Sequence, residues 1–175
     1  MRDRKIKLFA TISLMLLIGY FVFYLYYVLY GMLKFAFLEP TLMLNNRISQ
    51  GYVTSEMRWI WFSMWIVPIG FGIYGALAAI YSFNMCRIGR YFDPKFGLGL
   101  MHLGCATVLG MATDVLGQSL LHKILTWAHP DGALAFAWRF NSEDLALILY
   151  GLGFFGIGLI IREAALIAEE NKAFV

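Results

Sequence analysis

The sequence predicts an all-α membrane protein: one domain over residues 1–175, a four-transmembrane-helix bundle with its N- and C-termini in the cytoplasm. Three observations carry that expectation. The chain is 61% hydrophobic and only 14% charged, where a soluble domain carries about a quarter charged residues. Four apolar stretches, residues 8–33, 59–84, 97–125 and 145–161, reach or approach the ~20 helical residues that cross a hydrocarbon core. Lys and Arg are divided unevenly between the two ends of those stretches. Nine lie in the N-terminal tail (Arg2, Arg4, Lys5, Lys7), the second loop (Arg87, Arg90, Lys95) and the C-terminal tail (Arg162, Lys172). Five, Lys34, Arg47, Arg58, Lys123 and Arg139, lie on the other side. The basic-rich side is the cytoplasmic one.

Span one follows the basic start "RDRKIK". Its apolar run exceeds the 7–15 residues of a signal-peptide core and no A-x-A site follows, so it reads as an uncleaved anchor. Tyr24, Tyr26, Tyr27 and Tyr30 crowd its outer end, and Trp59 and Trp61 open span two. Such rings favour the headgroup level. The outer loop between these spans mixes apolar and polar residues and has room for a short interfacial helix.

Span two carries Gly72 with Ala76 and Gly75 with Ala79, pairs of small residues that let helix backbones approach. Pro68 predicts a kink, because its ring clashes one turn back. The inner loop "CRIGRYFDPKFG" is tight, with Asp93 placed to cap span three and Pro94 at its first helical position. Span three holds Gly104, Gly110 and Gly117, and span four Gly151, Gly153, Gly156 and Gly158. These glycines read as packing positions. Before span four, His-Pro-Asp-Gly marks a turn, and Asn141-Ser142 followed by Glu143 and Asp144 marks a helix start. At residues 145–161 the span is short, and residues 162–175 form a cytoplasmic tail.

Chemistry-bearing residues concentrate in span three. Thr107, Asp114, Gln118 and His122 are separated by 7, 4 and 4 positions and share one helical face. Asp114 is expected well inside the span. An aspartate at the bilayer centre costs at least ~2.5–3.5 kcal/mol on insertion scales, so it should face other helices or a wet cavity. Two kinds of use compete: an inter-helix hydrogen bond that fixes register, and a proton or cation relay or small polar ligand site.

No catalytic motif occurs. His-Glu-x-x-His, Gly-x-Ser-x-Gly, a phosphate-binding loop and a Cys–His arrangement are all missing, which predicts a protein that is not an enzyme and holds no cofactor. His102 and His122 stand 20 positions apart on one helix, about 30 Å, too far to share an iron. Cys86 and Cys105 lack metal-ligand spacing and read as reduced packing thiols. The net charge of +3 is modest and excludes a direct nucleic-acid footprint.

Two stretches carry a family likeness. One is "IYSFNMCRIGRYFDPKFGLGLMHLGCATVLG", a helix, a basic turn and a helix. The other is the ending, "LIIREAALIAEENKAFV". Together they resemble a bacterial domain-of-unknown-function family, number two-nine-seven-five. The resemblance implies a small multi-pass protein of the bacterial inner membrane with four spans and no assigned activity. Some family members are encoded beside an Xre-type helix-turn-helix regulator, which implies a cytoplasmic DNA-binding partner.

Wound as a helix, the tail gathers Ala164, Ile167, Ala168, Asn171, Phe174 and Val175 on one side, with Arg162, Glu163, Glu169 and Glu170 towards the other. A free end gains nothing from an apolar Phe174-Val175 unless it is buried. The tail is therefore expected to dock, onto the inner loop with Glu169 and Glu170 near Arg87 and Arg90, or onto a partner. The expected function is a regulatory or sensory membrane partner of a cytoplasmic protein. The alternatives are a small permease component using Asp114 and an immunity-type protective membrane protein. The bilayer is one expected partner, and a homo-oligomer is compatible with every reading.

Overall fold

A computed structural model describes residues 2–37, 55–127 and 140–173. Four helices account for nearly all of them: α1 (Arg2–Phe37), α2 (Ser55–Arg87), α3 (Pro94–Trp127) and α4 (Ser142–Ala173). Among the described residues there is no strand. All four helices are long and apolar enough to cross a membrane. Each outlasts the apolar stretch that announces it. The extension is greatest in α4, because "REAALIAEEN" contains strong helix formers and no Gly or Pro to stop the winding. Residues 38–54 and 128–139, with the short interfacial helix and the His-Pro-Asp-Gly turn expected there, lie outside the described residues.

The ends of the helices are set by local chemistry. At the end of α2, Gly89 has a φ of +84°. The Arg90 N–H donates to the Met85 carbonyl (2.9 Å) and the Gly89 N–H to the Cys86 carbonyl (3.1 Å). That pair of bonds is a Schellman cap, and its left-handed residue requires glycine. Three residues later Asp93 accepts from the Lys95 N–H through Oδ1 (2.9 Å), with Pro94 opening α3 as predicted. At α4, the Asn141 N–H donates back to Asp144 Oδ2 (2.7 Å), the reciprocal arm of a capping box. Pro68 lies inside α2 without ending it.

The four helices assemble as an open row. Among the described residues, α1 packs on α2, α2 on α3 and α3 on α4, and no other helix pair comes together. Every neighbouring pair runs antiparallel. Gly89 lies against Lys7 and Gly72 against Tyr24; Gly75 meets Ala106 and Gly117 meets Met64; Gly97 meets Gly158 and Gly104 meets Gly151. Both chain ends and the 88–93 loop therefore share one end of the molecule.

The buried side chains are small. Ala10, Ala79, Ala106 and Ala165 are each under 5% exposed, while Leu, Phe, Tyr and Trp side chains cover the outside. This inverts a soluble protein, and it fits helices that associate through close backbone approach and not through hydrophobic exclusion. Two polar residues are buried as well. Ser82 donates to the Ala78 carbonyl (2.9 Å) and Ser119 to the Val115 carbonyl (2.8 Å), so neither hydroxyl is stranded.

The α3·α4 contact is the tightest. A methyl at Gly97 would lie 2.6 Å from the Gly158 carbonyl oxygen, and one at Gly104 2.5 Å from the Gly151 oxygen. In the reverse direction, a methyl at Gly158 would lie 2.6 Å from the Gly97 oxygen, and one at Gly151 2.8 Å from Val108. Gly153 and Gly156 face open space. The glycines of span four thus divide: two belong to the seam and two do not.

A row and a closed bundle differ in the distance between their first and last members. With helix axes ~8–10 Å apart, spin labels at exposed Phe23 of α1 and Leu152 of α4 should be more than about 20 Å apart in double electron–electron resonance. A closed bundle would bring α1 and α4 to within about one helix spacing.

Candidate functional site

Because α2 and α4 lie on nearly opposite flanks of α3, that helix keeps two open faces. One carries Lys95, Leu98, His102, Cys105, Leu109, Leu116 and Leu120, all exposed. The other carries Leu100, Leu103, Thr107, Met111, Asp114 and Gln118, all half-buried. The polar stripe does share a face, as its spacing requires. His122 continues the same helix, but its side chain lies outside the described residues.

Asp114 and Gln118 meet directly: Gln118 Nε2 donates to Asp114 Oδ2 at 2.8 Å. The bond is within α3, one turn apart, and not between helices. Thr107 is also spent locally, donating to the Leu103 carbonyl (2.9 Å). Two further groups come within electrostatic range of Asp114: the Tyr24 phenol of α1 and the Asp144 carboxylate of α4. The Tyr24 hydroxyl reaches over α2 because Gly72 has no side chain to block it; a methyl there would lie 2.9 Å from the oxygen.

The helix register fixes the depth of Asp114. Along α3 it stands 20 positions from Pro94, an axial distance of about 30 Å. That matches the ~30 Å thickness of a hydrocarbon core. Contacts of Gly110 with Phe71 and of Gly117 with Met64 bring Asp114 level with Val67. Those of Gly104 with Gly151 and Phe155 extrapolate it to the Asn141–Leu145 cap of α4. Asp114 thus lies level with the start of α4, 20 positions along α3 from Pro94 and inside the apolar stretch Pro94–Leu120. Below Asp114 on the same face the side chains turn to Met111, Leu103 and Leu100, with Thr107 between them.

On the opposite face of the row lies a polar pair that spacing arguments pass over. The Tyr74 hydroxyl and His102 Nδ1 are 2.6 Å apart, joining α2 to α3, and the rings meet edge to face. His102 stands alone in its stretch of sequence, so only the helix register reveals its partner. Among the described residues no group of three or more His, Cys, Asp or Glu could hold a metal ion. Cys86 and Cys105 are free thiols.

The tail residues are placed as follows. Ala165 is buried against the row and Leu166 is half-buried; Glu163, Ala164, Ile167, Ala168, Glu169, Glu170 and Asn171 are exposed. Phe174 lies outside the described residues. Arg87 donates to Asn84 Oδ1 through Nε (3.2 Å) and Nη2 (3.0 Å), within its own helix. Arg90 is exposed. Among the described residues no ion pair joins Glu169 or Glu170 to Arg87 or Arg90, and α4 is separated from α2 by α3. Val175, the other apolar residue at the end of the tail, also lies outside the described residues.

No family model, curated protein or solved structure matches this chain.

The intrahelical Asp114–Gln118 pair has a modest energetic weight, ~0.2–0.5 kcal/mol for an exposed pair one turn apart. Asp114→Asn retains an oxygen acceptor and should change thermal stability in detergent by less than about 0.5 kcal/mol. A loss of several kcal/mol would place the carboxylate in a buried contact instead.

Proposed function

We propose that the chain is a multi-pass protein of the bacterial cytoplasmic membrane, with both termini inside. We further propose that it works without catalysis, as a regulatory or sensory partner of a cytoplasmic protein of the DNA-binding regulator kind. The observation that carries this reading is the end of α4. Arg162 packs at the level of Gly97, near the start of α3. The helix nevertheless continues to Ala173. From Leu166 to Ala173 the helix runs on for about 12 Å, at 1.5 Å per residue. Ile167 is 57% exposed on this segment while Ala165 is 3% exposed.

An exposed apolar side chain on a charged helix end is the form of a helical docking element. Ala164, Ala168 and Asn171 continue the face of Ile167, and Glu163, Glu169 and Glu170 rim it. Charges at a rim steer and orient a partner; the apolar centre holds it. Arg90 and Lys95, at the same end of the molecule, add a basic patch beside the acidic one. The likeness of the ending to a family with regulator-linked members points the same way.

A permease built on Asp114 draws less support. Its stripe gives way to apolar side chains towards the other end of α3, and transporter folds place their sites near the midplane. An immunity-type role has no feature of its own to recommend it.

The test is capture of the cytoplasmic partner by the membrane protein. Deleting Asn171–Val175, or substituting Ile167→Asp, should leave the protein in the membrane fraction and weaken co-purification of the product of the neighbouring gene by about tenfold, ~1.4 kcal/mol. Equal recovery with full-length and altered tails would reduce the tail to a plain exit from the membrane.

A further inference from the structure

An exposed groove lies between α2 and α3, on the face away from Asp114. Its volume is about 460 Å³, within the ~300–1,000 Å³ of small-molecule sites. Leu77, Ala78, Leu98 and Gly99 line it with apolar surface. Gly99 deepens it: a side chain there would run into Ser82 Oγ. Tyr74 and His102 close the far end, where the bond between them satisfies the Tyr74 hydroxyl and His102 Nδ1.

The mouth has the opposite character. Lys95 stands there, at the end of the molecule that holds the chain termini and the 88–93 loop, and Tyr81 lines the wall against Gly99, about one turn further in. Lys95 is exposed, and its ammonium has no partner among the described residues. Nor has the Tyr81 hydroxyl. From Lys95 to His102 is 7 residues, about 10 Å along the axis. The groove thus begins at headgroup depth and ends in the hydrocarbon, on the reading that the helices span a bilayer.

We infer that this groove holds one acyl chain of an anionic glycerophospholipid from the leaflet at the termini-bearing end, with the lipid phosphate at the Lys95 ammonium and the Tyr81 hydroxyl. The occupant is chosen by charge complementarity and depth. A cation and a phenolic donor, both uncommitted, cap an apolar slot open to the side, and basic pockets between spanning helices on that side take anionic headgroups. A protein helix needs a wider groove and has no use for a single cation at its end.

The inference rests on the membrane reading, so alkaline extraction of membranes comes first. A chain released by alkali would overturn that reading and the inference together. The lipid test uses the full-length protein in native mass spectrometry, titrated with phosphatidylglycerol and phosphatidylcholine bearing the same acyl chains. Phosphatidylglycerol should remain bound preferentially. Lys95→Gln should weaken that preference about fivefold, the effect of removing one Lys interaction of ~1 kcal/mol. Leu77→Phe and Ala78→Phe, which fill the slot, should weaken binding of both lipids; two fillers guard against one that misfolds. Lys5→Gln, on α1 and away from the groove, should leave the preference unchanged. A preference that survives Lys95→Gln, or that falls equally with Lys5→Gln, overturns the site in favour of a general attraction to the basic end.

Discussion

Four glycines hold this molecule in its arrangement. Helices in lipid gain nothing by hiding leucines from one another, since the tails are as apolar as the side chains. What remains is van der Waals contact, which grows as backbones approach. Gly97 and Gly104 of α3 face Gly158 and Gly151 of α4, seven positions apart on each helix, and a methyl at any of the four would press on the neighbouring helix. The spacing of seven returns to the same face of a helix with a drift of only ~20°, so the two contacts lie along one line. The α2·α3 contact is close at Gly99, where a methyl would run into Ser82 Oγ, and looser elsewhere. A methyl at Gly75 would sit 3.1 Å from Ala106 Cβ, and one at Gly117 3.6 Å from the Met64 carbonyl oxygen.

The functional geometry follows from that seam. It sets α4 along α3 so that the Asn141–Asp144 cap comes level with Asp114 and brings the Asp144 carboxylate within electrostatic range of it. At the other end the same register carries α4 past the start of α3 and leaves Ile167 in the open. The seam also holds α4 on the far flank of α3 from α2. Both remaining faces of α3 are then accessible, one with Asp114 and Gln118, the other with the Tyr74–His102 groove. A closed bundle would have hidden one of them.

Much of this is legible from the sequence, and the reasons differ by feature. Four helices follow from apolar runs too long to be anything else. The caps at Asp93-Pro94 and at Asn141–Asp144 follow because capping is local chemistry, decided within four residues. The polar stripe is likewise visible, because its periodicity belongs to one helix. The open row is not visible, since which helices touch depends on pairwise contacts that composition does not encode. For the same reason Gly153 and Gly156 look identical to Gly151 and Gly158 in sequence and differ completely in environment. The level of Asp114 needs the register of α4, and the partner of His102 needs that of α2. The tail lies between these cases. Its helix is foreseeable from propensity, but the buried side is Ala165 and Leu166, and Ile167 is left outward.

The glycine seam is tested most directly by Gly→Ala substitution within α3 and α4. In a helix that points into open space, Gly→Ala favours the helix by up to ~1 kcal/mol. At a tight contact the added methyl costs roughly 1–3 kcal/mol through overpacking. The thermal unfolding midpoint of the purified protein, measured for Gly104→Ala, Gly158→Ala, Gly153→Ala and Gly156→Ala, separates the two. The account predicts lower midpoints for the first two and unchanged or raised midpoints for the last two. Four equal shifts, or lower midpoints at Gly153 and Gly156, would contradict it.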